Sequence, residues 1–144
     1  MPDLLARWRG SRRSGRRSDP GTPVSQPIAT LRVVAAELAD SEEKIDEALG
    51  RGRLPERLLR TNAWDRDRAR LHATAGMERL CADVEAAYAE VRRIRLARAG
   101  RMWQAYLAEP EDRVQDALAR IRTALDALEM TIEALSTQGR PAAP

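Results

Sequence analysis

The chain has 144 residues, enough for one domain with tails, and is 43% hydrophobic without a single phenylalanine. Its basic residues, which are Lys44 and otherwise arginine, outnumber the acidic ones 25 to 22, for a net charge of +3. The lone Cys81 excludes an internal disulfide, and no apolar run is as long as a transmembrane segment. No apolar segment follows the first arginines as a secretory or twin-arginine signal requires, so we expect a cytoplasmic protein.

Residues 1–27 are predicted to be a disordered basic arm, because glycine and proline recur through to Pro27 and arginine and serine fill the gaps. Its net charge is +4, whereas residues 28–144 carry a net charge of −1. The arm is the best candidate for binding an anionic partner, either a membrane surface or nucleic acid, through six arginines: Arg7, Arg9, Arg12, Arg13, Arg16 and Arg17. In the membrane alternative, Leu4, Leu5 and Trp8 insert into the bilayer. A solubilising tail without a partner is equally compatible with the composition.

A first helix is predicted over about Ile28–Leu49, ended by Gly50 and Gly52. Its buried stripe comprises Leu31, Val34, Leu38, Ile45 and Leu49. Ser41 and Glu42 interrupt that stripe, which predicts weaker packing there.

A second, shorter helix is predicted over Asn62–Thr74, with Thr61 as its N-cap and Trp64 in the core. Whether it breaks at Gly76 or continues into the third helix is left open by the sequence.

The third helix is predicted over about Met77–Ala99. Its apolar positions repeat every seven residues: Met77, Leu80, Val84, Ala87, Val91 and Ile94. The arginines between Arg92 and Arg101 are interpreted as a helix C-terminus neutralised by neighbouring acids, with nucleic-acid contact as the alternative. Beyond Gly100, Trp103 and Tyr106 are interpreted as capping one end of the bundle, with a binding edge as the alternative.

The fourth helix is predicted from the acidic segment at Pro110 to about Ser136, followed by a disordered tail over residues 137–144. It carries the clearest signal of the chain, a seam of apolar residues at spacings of 4 and 3: Val114, Leu118, Ile121, Leu125, Leu128, Ile132 and Leu135. Ala117 and Ala124 widen the seam on one side, which favours packing inside a bundle over a free coiled-coil dimer. A homo-oligomer through this seam remains open.

These elements predict an all-α fold, an antiparallel three- or four-helix bundle with coiled-coil-like heptads, over residues 28–136. Helix-surface charges are expected to pair along one helix, as in Asp116–Arg120 and Arg122–Asp126.

No catalytic, metal or cofactor site is predicted, and we expect the protein not to be an enzyme. His72 and Cys81 are the only residues that suggest metal binding or nucleophilic catalysis, and neither has the partners that such a site needs. We interpret them as a surface histidine and a core cysteine.

From Glu37 to Ile94 the chain resembles a loose group of small uncharacterised bacterial helical proteins with an acidic amphipathic helix, a Thr-x-x-Trp helix start and a longer helix containing tyrosine. The matching residues are Glu37, Leu38, Thr61, Trp64, Leu71, Val84, Tyr88 and Val91. Members often begin with a membrane-spanning segment, whereas this chain has the basic arm. The resemblance implies no activity and slightly favours a position near a membrane.

The sequence therefore favours a non-enzymatic interaction or scaffolding module with an unknown protein partner. The alternative is a peripheral adaptor that the arm docks to an anionic membrane or to nucleic acid.

Overall fold

The computed structural model describes residues 25–51, 59–99 and 112–140. They form four helices without a strand among them: α1 (Ser25–Arg51), α2 (Asn62–His72), α3 (Glu78–Ala99) and α4 (Asp112–Gln138). The predicted all-α bundle is confirmed. Residues 1–24, which include the six arginines of the basic arm and Leu4, Leu5 and Trp8, lie outside the described residues. Trp103 and Tyr106 lie outside them as well.

Helix α1 begins three residues earlier than predicted, because Pro27 does not break it. Pro27 is the third residue of the helix that starts at Ser25. A proline in the first turn lacks only an N–H that has no acceptor within the helix, so it fits there. A truncation that removes residues 1–27 would therefore shorten α1.

Helices α2 and α3 are separate. The chain turns between them at residues 73–77, where Gly76 adopts a φ of +82°, a left-handed conformation that favours glycine. Hydrogen bonds join Thr61 to Arg95 and Asp65 to Arg92, so the residue number rises along α2 as it falls along α3. The two helices thus form an antiparallel hairpin.

Helix α4 packs against both α1 and α3, while α2 contacts the same two helices. Of the predicted seam of α4, five side chains are buried, and Leu125 and Leu135 are partly buried against the core. Ala117 and Ala124 are also buried. The seam therefore faces α1 and α3 within one chain.

The remaining stripes lie in the same core. All six heptad residues predicted for the third helix are buried, including Met77, which lies one residue before α3. Leu31, Val34, Leu38 and Ile45 of α1 are also buried. Ser41 occupies the gap in the α1 stripe and is itself fully buried, and its hydroxyl has no hydrogen-bond partner. A buried hydroxyl without a partner destabilises a fold, so Ser41 is a weak point of the core.

Candidate functional site

The densest set of polar contacts surrounds the start of α2, where α1, α2 and α3 meet. We call this set the α2 junction. Its members are Glu37 of α1, Thr61, Ala63, Trp64 and Asp65 at the start of α2, and Glu85, Tyr88, Arg92 and Arg95 of α3.

Glu37 caps α2 from a different helix. The backbone N–H of Ala63 donates to both carboxylate oxygens of Glu37, at 3.1 and 3.0 Å. The N–H groups of a first helical turn have no acceptor within the helix, and a carboxylate there also complements the positive end of the helix dipole. Thr61 is at the N-cap position as predicted, but its side chain makes no capping hydrogen bond. Its hydroxyl donates to Asp65 instead, at 2.7 Å.

Tyr88 ties the same carboxylate to α3. Its hydroxyl lies 2.9 Å from Glu37 Oε1 and 3.3 Å from the carbonyl oxygen of Val34. Burial raises the pKa of Tyr88 far above its usual range, and the negative charge of Glu37 raises it further. Tyr88 therefore stays protonated and remains a hydrogen-bond donor to α1.

Trp64 connects this contact to the rest of the junction. Its ring stacks on Tyr88 with centroids 5.8 Å apart and planes 13° apart. Its indole N–H donates to Glu85 Oε2 at 2.7 Å. Trp64 and Tyr88 are both almost completely buried, so the junction joins the core directly.

A chain of charged groups closes the outer side of the junction. Arg92 donates to Asp65 at 2.6 Å and to Glu85 at 3.4 Å, and Arg95 donates to Thr61 at 3.2 Å. The hydrogen bond from Thr61 lowers the pKa of Asp65, burial opposes it, and the hydrogen bond and charge of Arg92 lower the pKa further. One ion pair, Arg92–Asp65, and one hydrogen bond, from Arg95 to Thr61, therefore join the start of α2 to α3.

The polar side chains of the α2 junction hold helices together. A carboxylate beside a tyrosine hydroxyl resembles an acid–base pair, but both oxygens of Glu37 accept from Ala63 and Tyr88 has no exposed surface. A reacting group would have to displace the helix cap before it reached either side chain. The arrangement therefore fixes α2 in place.

His72 and Cys81, the two residues that suggest metal binding or nucleophilic catalysis, lie in different environments. His72 is exposed, with its ring tilted against Trp64 at 5.9 Å. Cys81 is buried, and burial, followed by the charges of Glu78 and Glu85, raises the pKa of its thiol. A raised pKa makes a thiol a poor nucleophile. Among residues 25–51, 59–99 and 112–140, no group of three His, Cys, Asp or Glu side chains is placed to hold a metal.

Periodicity misses most of the junction, because its polar members follow no repeat. The signal that points to it is the resemblance: Glu37, Thr61, Trp64 and Tyr88 converge here, and the other matching residues, Leu38, Leu71, Val84 and Val91, are buried in the core. The resemblance itself stays a prediction.

Comparisons with protein-family models, with curated proteins and with solved structures gave no significant match. None of the described helices combines the length and apolar composition that crossing a bilayer requires.

Proposed function

We propose that the chain is a non-enzymatic helical interaction or scaffolding module that acts in the cytoplasm. The α2 junction carries this proposal. Its side chains satisfy one another's hydrogen bonds across α1, α2 and α3, and α4 packs on two of those helices. A fully connected polar network rigidifies a fold, and a surface that is already rigid loses less conformational entropy when it binds.

Large apolar side chains on the outer surface supply contact points for a partner. Leu96 of α3 is 73% exposed and Met130 of α4 is 71% exposed. Scattered exposed apolar residues are common in soluble proteins. Here, however, both project from helices whose opposite faces are fixed in the core.

The proposal is tested by cross-linking in cells with a photoreactive amino acid placed in the full-length chain at Leu96, at Met130 or at Trp8 of the arm. We expect protein adducts of defined mass from Leu96 or Met130, and a purified partner should bind the unmodified chain at fixed stoichiometry. Adducts from Trp8 alone would contradict a bundle-mediated interaction. An absence of protein adducts from both bundle positions would also contradict it.

A second function, docking through the basic arm to an anionic membrane or to nucleic acid, is supported by the distribution of charge. Residues 1–27 carry a net charge of +4 and the remaining chain −1. Each basic residue near an anionic membrane contributes about 1 kcal/mol, and phosphate contacts weaken steeply with salt.

Matched variants separate the arm from the bundle. One replaces Arg12, Arg13, Arg16 and Arg17 with glutamine. The control replaces four exposed arginines of the bundle that form no ion pair within residues 25–51, 59–99 and 112–140: Arg32, Arg60, Arg70 and Arg79. Both lose four charges, so arm docking predicts that only the first loses salt-sensitive binding to anionic vesicles or duplex DNA. Equal losses would assign binding to net charge rather than to the arm.

A further inference from the structure

The outward face of α3 is the most apolar helix surface of the described bundle. Its exposed positions follow spacings of 3, 4, 3, 4 and 3: Arg79, Ala82, Ala86, Ala89, Arg93 and Leu96. Four of the six are apolar, and Leu96 is 73% exposed. This spacing places a continuous stripe opposite the buried seam of the same helix.

Arg79 lies at the first position of this face, and Arg93, the charged member among its apolar residues, turns away from it. Its guanidinium contacts both oxygens of Glu90, each at 3.1 Å. Glu90 is buried and also accepts from Arg120 of α4 at 3.0 Å, so Arg93 is drawn toward the edge that faces α4. The alanines beside it therefore allow another helix backbone to approach closely.

The outer faces of the other two long helices are more polar. Asp126 and Glu133 flank Met130 on α4, and the exposed face of α1 carries Asp40, Glu43 and Glu47. An apolar contact through either would bury carboxylates, which is costly without partners.

The charge of α3 changes sign along its length. Its first eleven residues hold three acids and one arginine, and its last eleven hold four arginines and one acid. Without the in-chain pairs Glu85–Arg92 and Glu90–Arg93, the two halves keep net charges of −1 and +2. Two copies of α3 in antiparallel orientation place the acidic half of each beside the basic half of the other. Their helix dipoles are then also opposed, whereas a parallel pair would align like charges.

We propose that the outward face of α3 pairs with the same face of a second copy of this chain, in antiparallel orientation around Ala89. Leu96 of each copy then lies over Ala82 of the other, and Ala89 meets its own counterpart at the twofold axis. A C2 contact uses one patch on both subunits, as this geometry requires. The inference rests on the proposed interaction role and names its partner.

Mass measurement in solution tests the pairing. Sedimentation of the full-length chain over a concentration series is expected to show twice the 16.1 kDa mass of one chain. Ala89→Arg should return the chain to the monomer mass, because it places two like charges at the axis. Ala119→Arg, the same change at an exposed alanine of α4, is the matched control and should leave the dimer intact. Unchanged helicity by circular dichroism shows that both variants fold.

Engineered cysteines test the orientation. Oxidation of Ala89→Cys should give a disulfide-linked dimer. Ala82→Cys should not, because antiparallel pairing separates the two copies of residue 82 by about 14 residues, or roughly 21 Å at 1.5 Å per residue.

A monomer at all concentrations would overturn the inference, as would a dimer that survives Ala89→Arg. Equal cross-linking at residues 82 and 89 would overturn the antiparallel arrangement. A photo-adduct from Leu96 to a different protein, with the chain itself monomeric, would overturn only this inference and would leave the proposed interaction role standing.

Discussion

The bundle is held together in two physically different ways. Along α4 the buried contacts with α1 and α3 are apolar and repeat every seven residues. The α2 junction depends on individual hydrogen bonds that Trp64 and Tyr88 donate and that Glu37 and Glu85 accept. Apolar packing is non-directional and tolerates many side chains of similar volume. A hydrogen-bond network fails when one partner is removed, because the others are left buried and unsatisfied. The seam therefore supplies stability, and the junction supplies the position of α2.

The largest effect is expected from a charge placed in the seam. Leu128 has no exposed surface, so Leu128→Asp buries an unpaired carboxylate and should cost at least about 3–5 kcal/mol, enough to unfold the chain. Met130→Asp, two residues away on the exposed side of α4, should change the free energy of unfolding by less than about 0.5 kcal/mol. Urea denaturation followed by circular dichroism measures both. Equal effects would show that α4 is not oriented as described.

In the junction, removal of one acceptor is expected to have the next largest effect. Glu37→Ala leaves the N–H of Ala63 and the hydroxyl of Tyr88 without their carboxylate and should cost about 2 kcal/mol. Tyr88→Phe removes one of these bonds and should cost about 1 kcal/mol. A double-mutant cycle should show that the two changes are not additive, because both remove the same contact. Additive losses would contradict the Glu37–Tyr88 bond.

An opposite, stabilising effect is expected at the polar gap in the apolar stripe of α1. Ser41→Ala removes a buried hydroxyl that has no partner and should raise the free energy of unfolding by about 1 kcal/mol. Ser136→Ala is the matched control, since the hydroxyl of Ser136 donates to the carbonyl of Ile132 at 2.7 Å. Thermal melts compare the two variants. A destabilised Ser41→Ala chain would show that the hydroxyl has a stabilising role.

The smallest effect is expected from the partly exposed ion pair at the edge of the junction. Because folding lowers the pKa of Asp65, its carboxylate stabilises the fold above the ordinary value of 3.8, and this contribution is lost as the pH falls below that value. The stability difference between wild type and Asp65→Asn should therefore shrink on acidification from pH 6 to pH 3. A difference that stays constant with pH would contradict this assignment.

The sequence predicts the seam well and the junction poorly, for a physical reason. Burial of apolar side chains follows the period of the helix, so Leu118, Ile121 and Leu128 are identified from spacing alone. Polar contacts between helices depend on which side chains meet after packing. Arg120 and Arg122 were expected to pair along α4, and they bond instead to Glu90 of α3 and Glu42 of α1.

The same reason explains the cap of α2. Thr61 is a plausible N-cap by residue type, and the rules for helix ends consider only neighbours in sequence. The carboxylate that accepts from the N–H of Ala63 lies 26 residues before Ala63, in Glu37. Neither periodicity nor capping preference contains that information, whereas the assignments of Trp64 to the core and Thr61 to the helix start depend only on local signals.

Hydrogen exchange of the full-length Glu37→Ala variant tests the central claim that the junction fastens α2 to α1 and α3. We expect the amides of Asn62–His72 to lose much more protection than those of the middle of α4, because α2 loses its cap and Tyr88 loses its bond to α1 while the seam stays intact. Unchanged protection in α2, or an equal loss in both helices, would contradict the claim.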